Sequence, residues 1–394
     1  MKMKYTGLSI VILLLCYGCG NDNRPTKTHK EVIAEEGFAE DTLGGGIYKH
    51  YTGTIAGQPV VLHYMQYGST IRGTYYYENI GQAIELYNYP DSSGGGNLYL
   101  AETPATERID NTAYWQVTVA GDSLTGTWIS GNRENTYPII LKEDYTNGVQ
   151  SFGIVCADDS VKLKDNLDNP KAYTSCQMLL PVGNDDATAF IRSVIYRSMK
   201  CDTNSTDGIK SCLDLLNRQY FATYKEENSE DDSLLMTSPS FYNWSRMTNF
   251  WVVYNQDNIT VLNHHNYEYL GGAHGVYSSN YLCLDARNKK VLTLKDILNI
   301  NEPELVKLLE KEARKLYHAK DTEPLNAYML AEELYVPEQF YITGKGITFV
   351  YGIYEVASYA EGEINLFIPY TKVKNMLTPY IVERMKLQTS LAHK

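Results

Sequence analysis

Between Ile47 and Leu141 hydrophobic and polar residues alternate in short runs separated by glycine-bearing turns. Tyr51–Ile55 turns at Ala56-Gly57-Gln58-Pro59 into Val60–Met65, and Tyr67-Gly68-Ser69 leads into Ile71–Tyr77. Further runs cover Ala83–Tyr87, Leu98–Glu102, Tyr114–Val117 and Leu124–Ile129. Two-residue alternation at near-regular spacing predicts an antiparallel meander, closed as a small barrel or packed as a sandwich. Arg72-Gly73-Thr74-Tyr75 and Thr125-Gly126-Thr127-Trp128 echo each other as a weak repeat. Glycine inside a strand marks a bend or a close backbone approach.

Past Tyr145-Thr146-Asn147-Gly148 the period changes, and helical stripes alternate with strand patterns. Asn184-Asp185-Asp186 is a cap for a helix from Ala187 to about Lys200, with Phe190, Ile191, Val194, Ile195 and Met199 on one face. The acidic stretch Lys225–Asp232 is expected as a solvated loop. Ile259–Tyr269 and Val276–Asp285 read as two strands, and Arg287-Asn288-Lys289 turns the second into Val291–Leu294. Asn301-Glu302-Pro303-Glu304 starts a helix with Glu304 placed for a capping box. Leu305, Leu308, Leu309 and Leu316 form its buried stripe. This order predicts an α+β region with helices packed on an antiparallel sheet. The expected organisation is multidomain: an all-β unit over 46–145, then an α+β region over 155–380 with halves at 155–253 and 254–380.

The start of the chain adds a location. Met1-Lys2-Met3-Lys4 is basic, and the apolar run Leu8–Leu15 is interrupted only by Ser9. A run this short suits an export signal, because a membrane span needs about 20 apolar residues. The run ends in Cys16-Tyr17-Gly18-Cys19, which resembles the lipobox of bacterial lipoproteins, where the cysteine is lipidated and becomes the first mature residue. Cys19 fits better than Cys16, since Gly18 precedes it while bulky Leu15 precedes Cys16. The departure is Cys16, where the family prefers leucine. The resemblance implies a signal peptide over 1–18 and lipidation at Cys19. The exported protein would then sit on a bacterial membrane, at its periplasmic face or the cell surface. The polar stretch 19–45, ending in glycines, reads as a flexible tether.

The formal charge is −12 over 394 residues, and loss of Lys2 and Lys4 with the signal leaves −14. An acidic chain disfavours nucleic acid as a partner and mildly favours cationic ones. Tyrosine is over-represented, at 34 residues, and suits both half-buried strand surfaces and recognition of protein or carbohydrate. Beyond Cys16 and Cys19 five cysteines remain, none at C-x-x-C spacing, so no metal site is expected. Cys201 and Cys212 flank a polar loop and are candidates for a disulfide in an oxidising envelope.

Two C-terminal segments carry a further resemblance. One is Tyr269-Leu270-Gly271-Gly272-Ala273-His274-Gly275, followed by Leu284-Asp285 and Lys290–Ile297. The other runs through Gln339–Ile342, Gly346–Phe349, Tyr354-Glu355-Val356-Ala357, Tyr359-Ala360-Glu361-Gly362 and Leu366–Tyr370. Together they resemble the extracellular domain of the RsiV family of lysozyme-sensing anti-sigma factors, a domain also found beside peptidoglycan deacetylase domains. The likeness covers about 160–380, with Ser358 standing where the family commonly has proline. It implies a non-catalytic module binding a protein or glycan ligand: lysozyme, a related muramidase or peptidoglycan. The candidate binding residues are Gly271, Gly272, His274, Gly275, Tyr354, Glu355, Tyr359, Glu361 and Gly362.

Two alternatives stand beside this reading. A cell-wall hydrolase or esterase would use Glu355, Glu361 or His274, and a purely structural lipoprotein would use none of them. No Gly-x-Ser-x-Gly elbow, phosphate-cradling glycine loop or His-Glu-x-x-His stretch is present, so no catalytic residue and no cofactor is assigned. His264 and His265 are adjacent on a strand and so point to opposite faces, which prevents them from sharing one metal without a bulge.

Overall fold

The computed structural model describes residues 46–88, 97–103, 112–165, 170–202, 208–229 and 239–387. The signal peptide, Cys19 and the tether lie outside the described residues. The first eight strands are β1 (Gly46–Ile55), β2 (Gln58–Tyr67), β3 (Thr70–Tyr77), β4 (Ile84–Asn88), β5 (Leu98–Thr103), β6 (Tyr114–Ala120), β7 (Ser123–Ile129) and β8 (Thr136–Glu143). Each pairs antiparallel with the next, and β8 returns to β1 from Tyr51↔Glu143 to Ile55↔Ile139. That last ladder resolves the meander as a closed barrel, which leaves no strand edge open to solvent. Tyr51, Leu62, Tyr75, Leu86, Trp115, Leu124 and Leu141 fill its interior as alternate residues of their strands.

β1 is longer than its pairing with β8 requires, and its first residues open a second ladder. Gly46 and Ile47 pair with Ile154 and Gly153 of β9 (Phe152–Lys162), so the barrel continues into a second sheet. The order is β9, β10 (Lys171–Pro181), β11 (Trp244–Gln256), β12 (Ile259–Tyr269), β13 (Val276–Asp285) and β14 (Lys290–Val291). The pairs are antiparallel except one. β10 and β11 run parallel, from Ala172↔Trp244 to Gln177↔Asn249. The expected antiparallel sheet is thus mixed at this point, because two helices return the chain to the same end before β11 begins.

Those helices are α1 (Asp186–Ser198) and α2 (Gly208–Glu227). α1 starts as its sequence predicts, with the Asp185 carboxylate accepting the Thr188 amide at 2.9 Å. α2 has no counterpart in the sequence reading. It absorbs Lys225–Glu227, which are its last turn rather than loop, and it carries Cys212. Its mask is aromatic: Tyr220 and Tyr224 pack on Trp244, a pattern easily taken for strand. The structure joins Cys201 to Cys212, tying the end of α1 to the first turns of α2.

The opposite face of β11–β13 is covered by the C-terminal elements. These are α3 (Leu294–Ile297), α4 (Glu302–Leu316), a three-stranded antiparallel sheet of β15 (Gln339–Ile342), β16 (Gly346–Tyr351) and β17 (Ile364–Pro369), and α5 (Pro379–Arg384). The expected strand Val291–Leu294 stops at Val291, because Thr293 and Asp296 close a capping box that starts α3. At α4 the expected box does not form. Asn301 instead donates its side-chain amide to Glu304 Oε2 at 3.2 Å, and Glu304 also accepts from Asn375. β12 separates two cores: Val261 faces Leu305, Phe349 and Leu366, while Leu262 faces Ile191, Ile195 and Phe250. Being buried on both faces, it reads as an apolar run at its start rather than as alternation.

Candidate functional site

The β12–β13 connection is shaped by its glycines. Gly271 has φ +88°, and a Cβ there would meet the Phe241 carbonyl oxygen at 2.5 Å. A Cβ on Gly275 would lie 2.4 Å from the Tyr267 ring, so that ring packs where only glycine leaves room. Gly272 stands in open space with its carbonyl accepting the Tyr269 hydroxyl at 3.0 Å. His274 is exposed, and its Nδ1 lies 2.9 Å from the Gly275 carbonyl oxygen. A carbonyl only accepts, so Nδ1 carries a proton there.

The second loop joins β16 to β17. Its first turn is held by Glu355, which accepts the Gly352 amide at 2.5 Å and the Tyr335 hydroxyl. Tyr354 is lifted outward with φ +63°, a left-handed conformation that costs a residue with a side chain about 1 kcal/mol. Ser358 and Glu361 then close a capping box around the turn Tyr359–Glu361, and Tyr317 donates to Glu361 Oε2 at 2.8 Å. Both carboxylates shape their own loop.

The two loops meet. The His274 ring stacks on Tyr359 with centroids 4.1 Å apart, Tyr354 lies 5.7 Å from Tyr359, and the Tyr354 hydroxyl reaches His274 Nε2 at 3.3 Å. Gly362 has φ +75° and passes directly under the Tyr277 hydroxyl. All nine candidate binding residues therefore belong to one end of the β12–β13 and β16–β17 pairs. Exposed Leu270, Val276, Phe241 and Tyr354 make an apolar rim there.

The stacking continues inward through residues that the sequence reading did not select. Tyr277 meets Tyr359 edge-on at 6.0 Å, His265 stacks on Tyr277 at 5.5 Å, and Trp251 lies 4.9 Å from His265. The Arg72 guanidinium, from barrel strand β3, sits 4.0 Å over Trp251 and 3.4 Å from Glu85 of β4. His264 faces the other way and stacks on Phe250 at 4.4 Å, so the adjacent histidines do point to opposite faces. Burial pushes both rings down to about 4, Arg72 adding to the effect at His265, and both are neutral at pH 7.

This inner chain of rings borders a cleft of about 360 Å³ between β3–β4 of the barrel, β11–β13 and β16–β17. Glu85, Glu361 and Glu363 are among its lining residues, and Glu363 is shifted. Burial and then neighbouring Glu85 push it up to about 7, although hydrogen bonds from the Ser279 side chain and backbone oppose the shift. The signal that could have found the cleft is polar: Asn263, His265 and Ser279 share one face of strands that are otherwise apolar there. Arg72 and Glu85 carry no such signal, since only the fold brings the barrel to this face. Among the described residues no group of three or more His, Cys, Asp or Glu side chains converges as a metal site. Among the same residues no helix is long and apolar enough to cross a membrane.

Residues 295–371 match the family model described as "Protein of unknown function (DUF3298)". The chain is similar to the crystal structure of a DUF3298 family member from Bacteroides fragilis, at 22% identity and a TM-score of 0.55, over 62% of this chain and 100% of that one. It is also similar to a DUF3298 family protein from Pseudomonas aeruginosa, at 15% identity and a TM-score of 0.40, over 58% of this chain and 95% of that one. Comparison with curated proteins gives no match. At these identities the first likeness speaks for the fold.

Proposed function

We propose that this protein is an exported lipoprotein, anchored through Cys19, that binds a protein or glycan ligand without turning it over. The best candidate ligand is lysozyme or a related basic muramidase. One observation carries the reading: the loops 271–275 and 354–362, far apart in sequence, build one exposed aromatic cluster with His274 face to face on Tyr359. Loops held on rigid strands are the usual place for recognition, and tyrosines are frequent anchors of interfaces. The apolar rim of Leu270, Val276 and Phe241 suits a macromolecular ligand more than a small one. A net charge of −12 favours a basic partner. Tyr335 and Tyr317 each hold one of the two loop carboxylates in place, a shaping role that fits binding.

The test is titration of lysozyme against wild type, His274→Ala, Tyr354→Ala and Tyr359→Ala, with folding checked by circular dichroism. Affinity tighter than about 1 μM, roughly −8 kcal/mol, and a loss of at least tenfold in one folded loop variant are expected. Added salt should weaken the complex. Absence of binding at low salt overturns the muramidase reading. For the anchor, Cys19→Ser should release the protein from the membrane fraction while Cys16→Ser stays attached, as a diacylated cysteine gives stable anchoring.

A further inference from the structure

The cleft behind the loop cluster has the chemistry of a second site. Among its buried polar atoms without a hydrogen-bond partner are two amide oxygens, beside Nδ1 of His265, which accepts or donates according to the tautomer. Asn263, 2% exposed, donates its amide to Ser279 Oγ at 3.3 Å, but its Oδ1 has no hydrogen-bond partner. Oδ1 of Asn365 on β17 is likewise buried and unpartnered. Glu363 takes hydrogen bonds from Ser279, and no lysine or arginine is among the groups acting on it. Arg72, the one lysine or arginine among the described residues lining the cleft, is engaged within it, stacked on Trp251 and paired with Glu85. Rings line it, with Tyr281 stacked on Tyr341 at 4.7 Å and Trp251 also in the lining.

Buried acceptors without donors, a carboxylate without a cation and aromatic walls are complementary to a compact group rich in N–H and positively charged. An anion would meet Glu363, Glu361 and Glu85. A neutral alcohol would leave the carboxylate uncompensated. We propose that this cleft binds a primary ammonium group, held by the Glu363 carboxylate and the amide oxygens of Asn263 and Asn365, with Trp251 and Tyr281 as its walls. A volume of about 360 Å³ admits an amino sugar or an alkylamine such as a lysine side chain. The shared chemistry is the ammonium.

The full-length protein in detergent is titrated at about pH 8 by calorimetry, with tryptophan fluorescence reporting on Trp251. The probes are glucosamine against N-acetylglucosamine and pentylamine against pentanol. At least one ammonium probe should saturate, with its neutral counterpart at least tenfold weaker. Which pair shows the effect identifies the source. Glu363→Gln should lower that affinity at least tenfold while keeping the wild-type circular dichroism spectrum. A second readout needs no variant: affinity of the wild type for pentylamine, which stays protonated across this range, should fall as pH drops through about 7. Glu363 takes up a proton there, while His265 stays neutral and burial keeps the Tyr277, Tyr281 and Tyr341 phenols protonated. The proposal is overturned if neither ammonium probe binds up to about 10 mM, if neutral counterparts bind equally, or if affinity ignores both Glu363→Gln and pH.

Discussion

Arg384 Nε lies 2.8 Å from Asp285 Oδ2, joining the last helix of the described chain to the end of β13 with both side chains buried. Tyr380 and Asn288 donate to the same carboxylate, and Arg384 also reaches the Asp257 carbonyl oxygen at 2.5 Å. Burial would raise the Asp285 carboxyl, but these hydrogen bonds outweigh it and hold it below the usual range. The pair thus fixes α5 against the β11–β12 turn and completes the core under β15–β17. Breaking one partner strands the other charge. Arg384→Leu or Asp285→Leu should each cost about 3–5 kcal/mol in urea unfolding. The double variant should recover part of that loss. Single variants within about 1 kcal/mol of wild type would show that the pair does not hold the helix.

Inside the barrel Glu102 Oε1 accepts from Trp115 Nε1 at 2.9 Å, Trp128 Nε1 at 2.6 Å and Tyr75 Oη at 2.7 Å. Glu102→Leu would leave three donors without an acceptor, at about 1–3 kcal/mol for each that cannot reach water. A loss of at least about 2 kcal/mol is expected, with a change in tryptophan fluorescence because both indoles lose the same partner. Glu102→Gln keeps an acceptor oxygen and should lose less. Equal stability of Glu102→Leu and wild type would contradict this role.

Buried neutral histidines make the fold sensitive to acid. His50 and His63 pair across β1 and β2 with rings 5.2 Å apart, and burial pushes both below the usual imidazole range, further at His63 beside His50. His264 is pushed down to about 4. Below pH ~6.5 the unfolded chain takes up protons that these folded rings refuse, so stability falls as pH drops toward about 4. For His264 alone the effect is on the order of 2–3 kcal/mol. His264→Phe keeps a ring against Phe250 and should shrink the stability difference between pH 7 and 4.5. An unchanged difference would rule out His264 as a source of the acid sensitivity.

Glu363 acts with the opposite sign. Its carboxyl is raised to about 7, so folding is favoured while the group is protonated and loses that contribution as pH rises from about 4.5 through 7. Glu363→Gln should therefore stabilise the protein at pH 8, on the order of 1–3 kcal/mol, and change little at pH 4. Thermal melts at both values decide. A variant less stable at pH 8 than wild type would mean that the carboxylate is compensated in the folded protein.

The sequence by itself determined the local structure and the loops. Alternation and turn glycines placed the β1–β7 meander, Asp185 and the apolar stripe behind it placed α1, and Gly271 and Gly275 marked a loop that only glycine can follow. Each depends on neighbours in the chain, which is why it is legible. α2 escaped because its buried residues, Ile209, Leu213, Tyr220 and Tyr224, make a sparse stripe, and Trp244, the partner of the two tyrosines, arrives only through tertiary packing. Closure of the barrel was settled by β8 meeting β1, about 85 residues away, a pairing no local pattern encodes. The same holds for the stack of His274 on Tyr359 and for the cleft, where Arg72, Asn263 and Glu363 come from three distant segments. A group's environment is set by what the fold brings to it, so the rise at Glu363 and the low value at His265 belong to the tertiary structure alone.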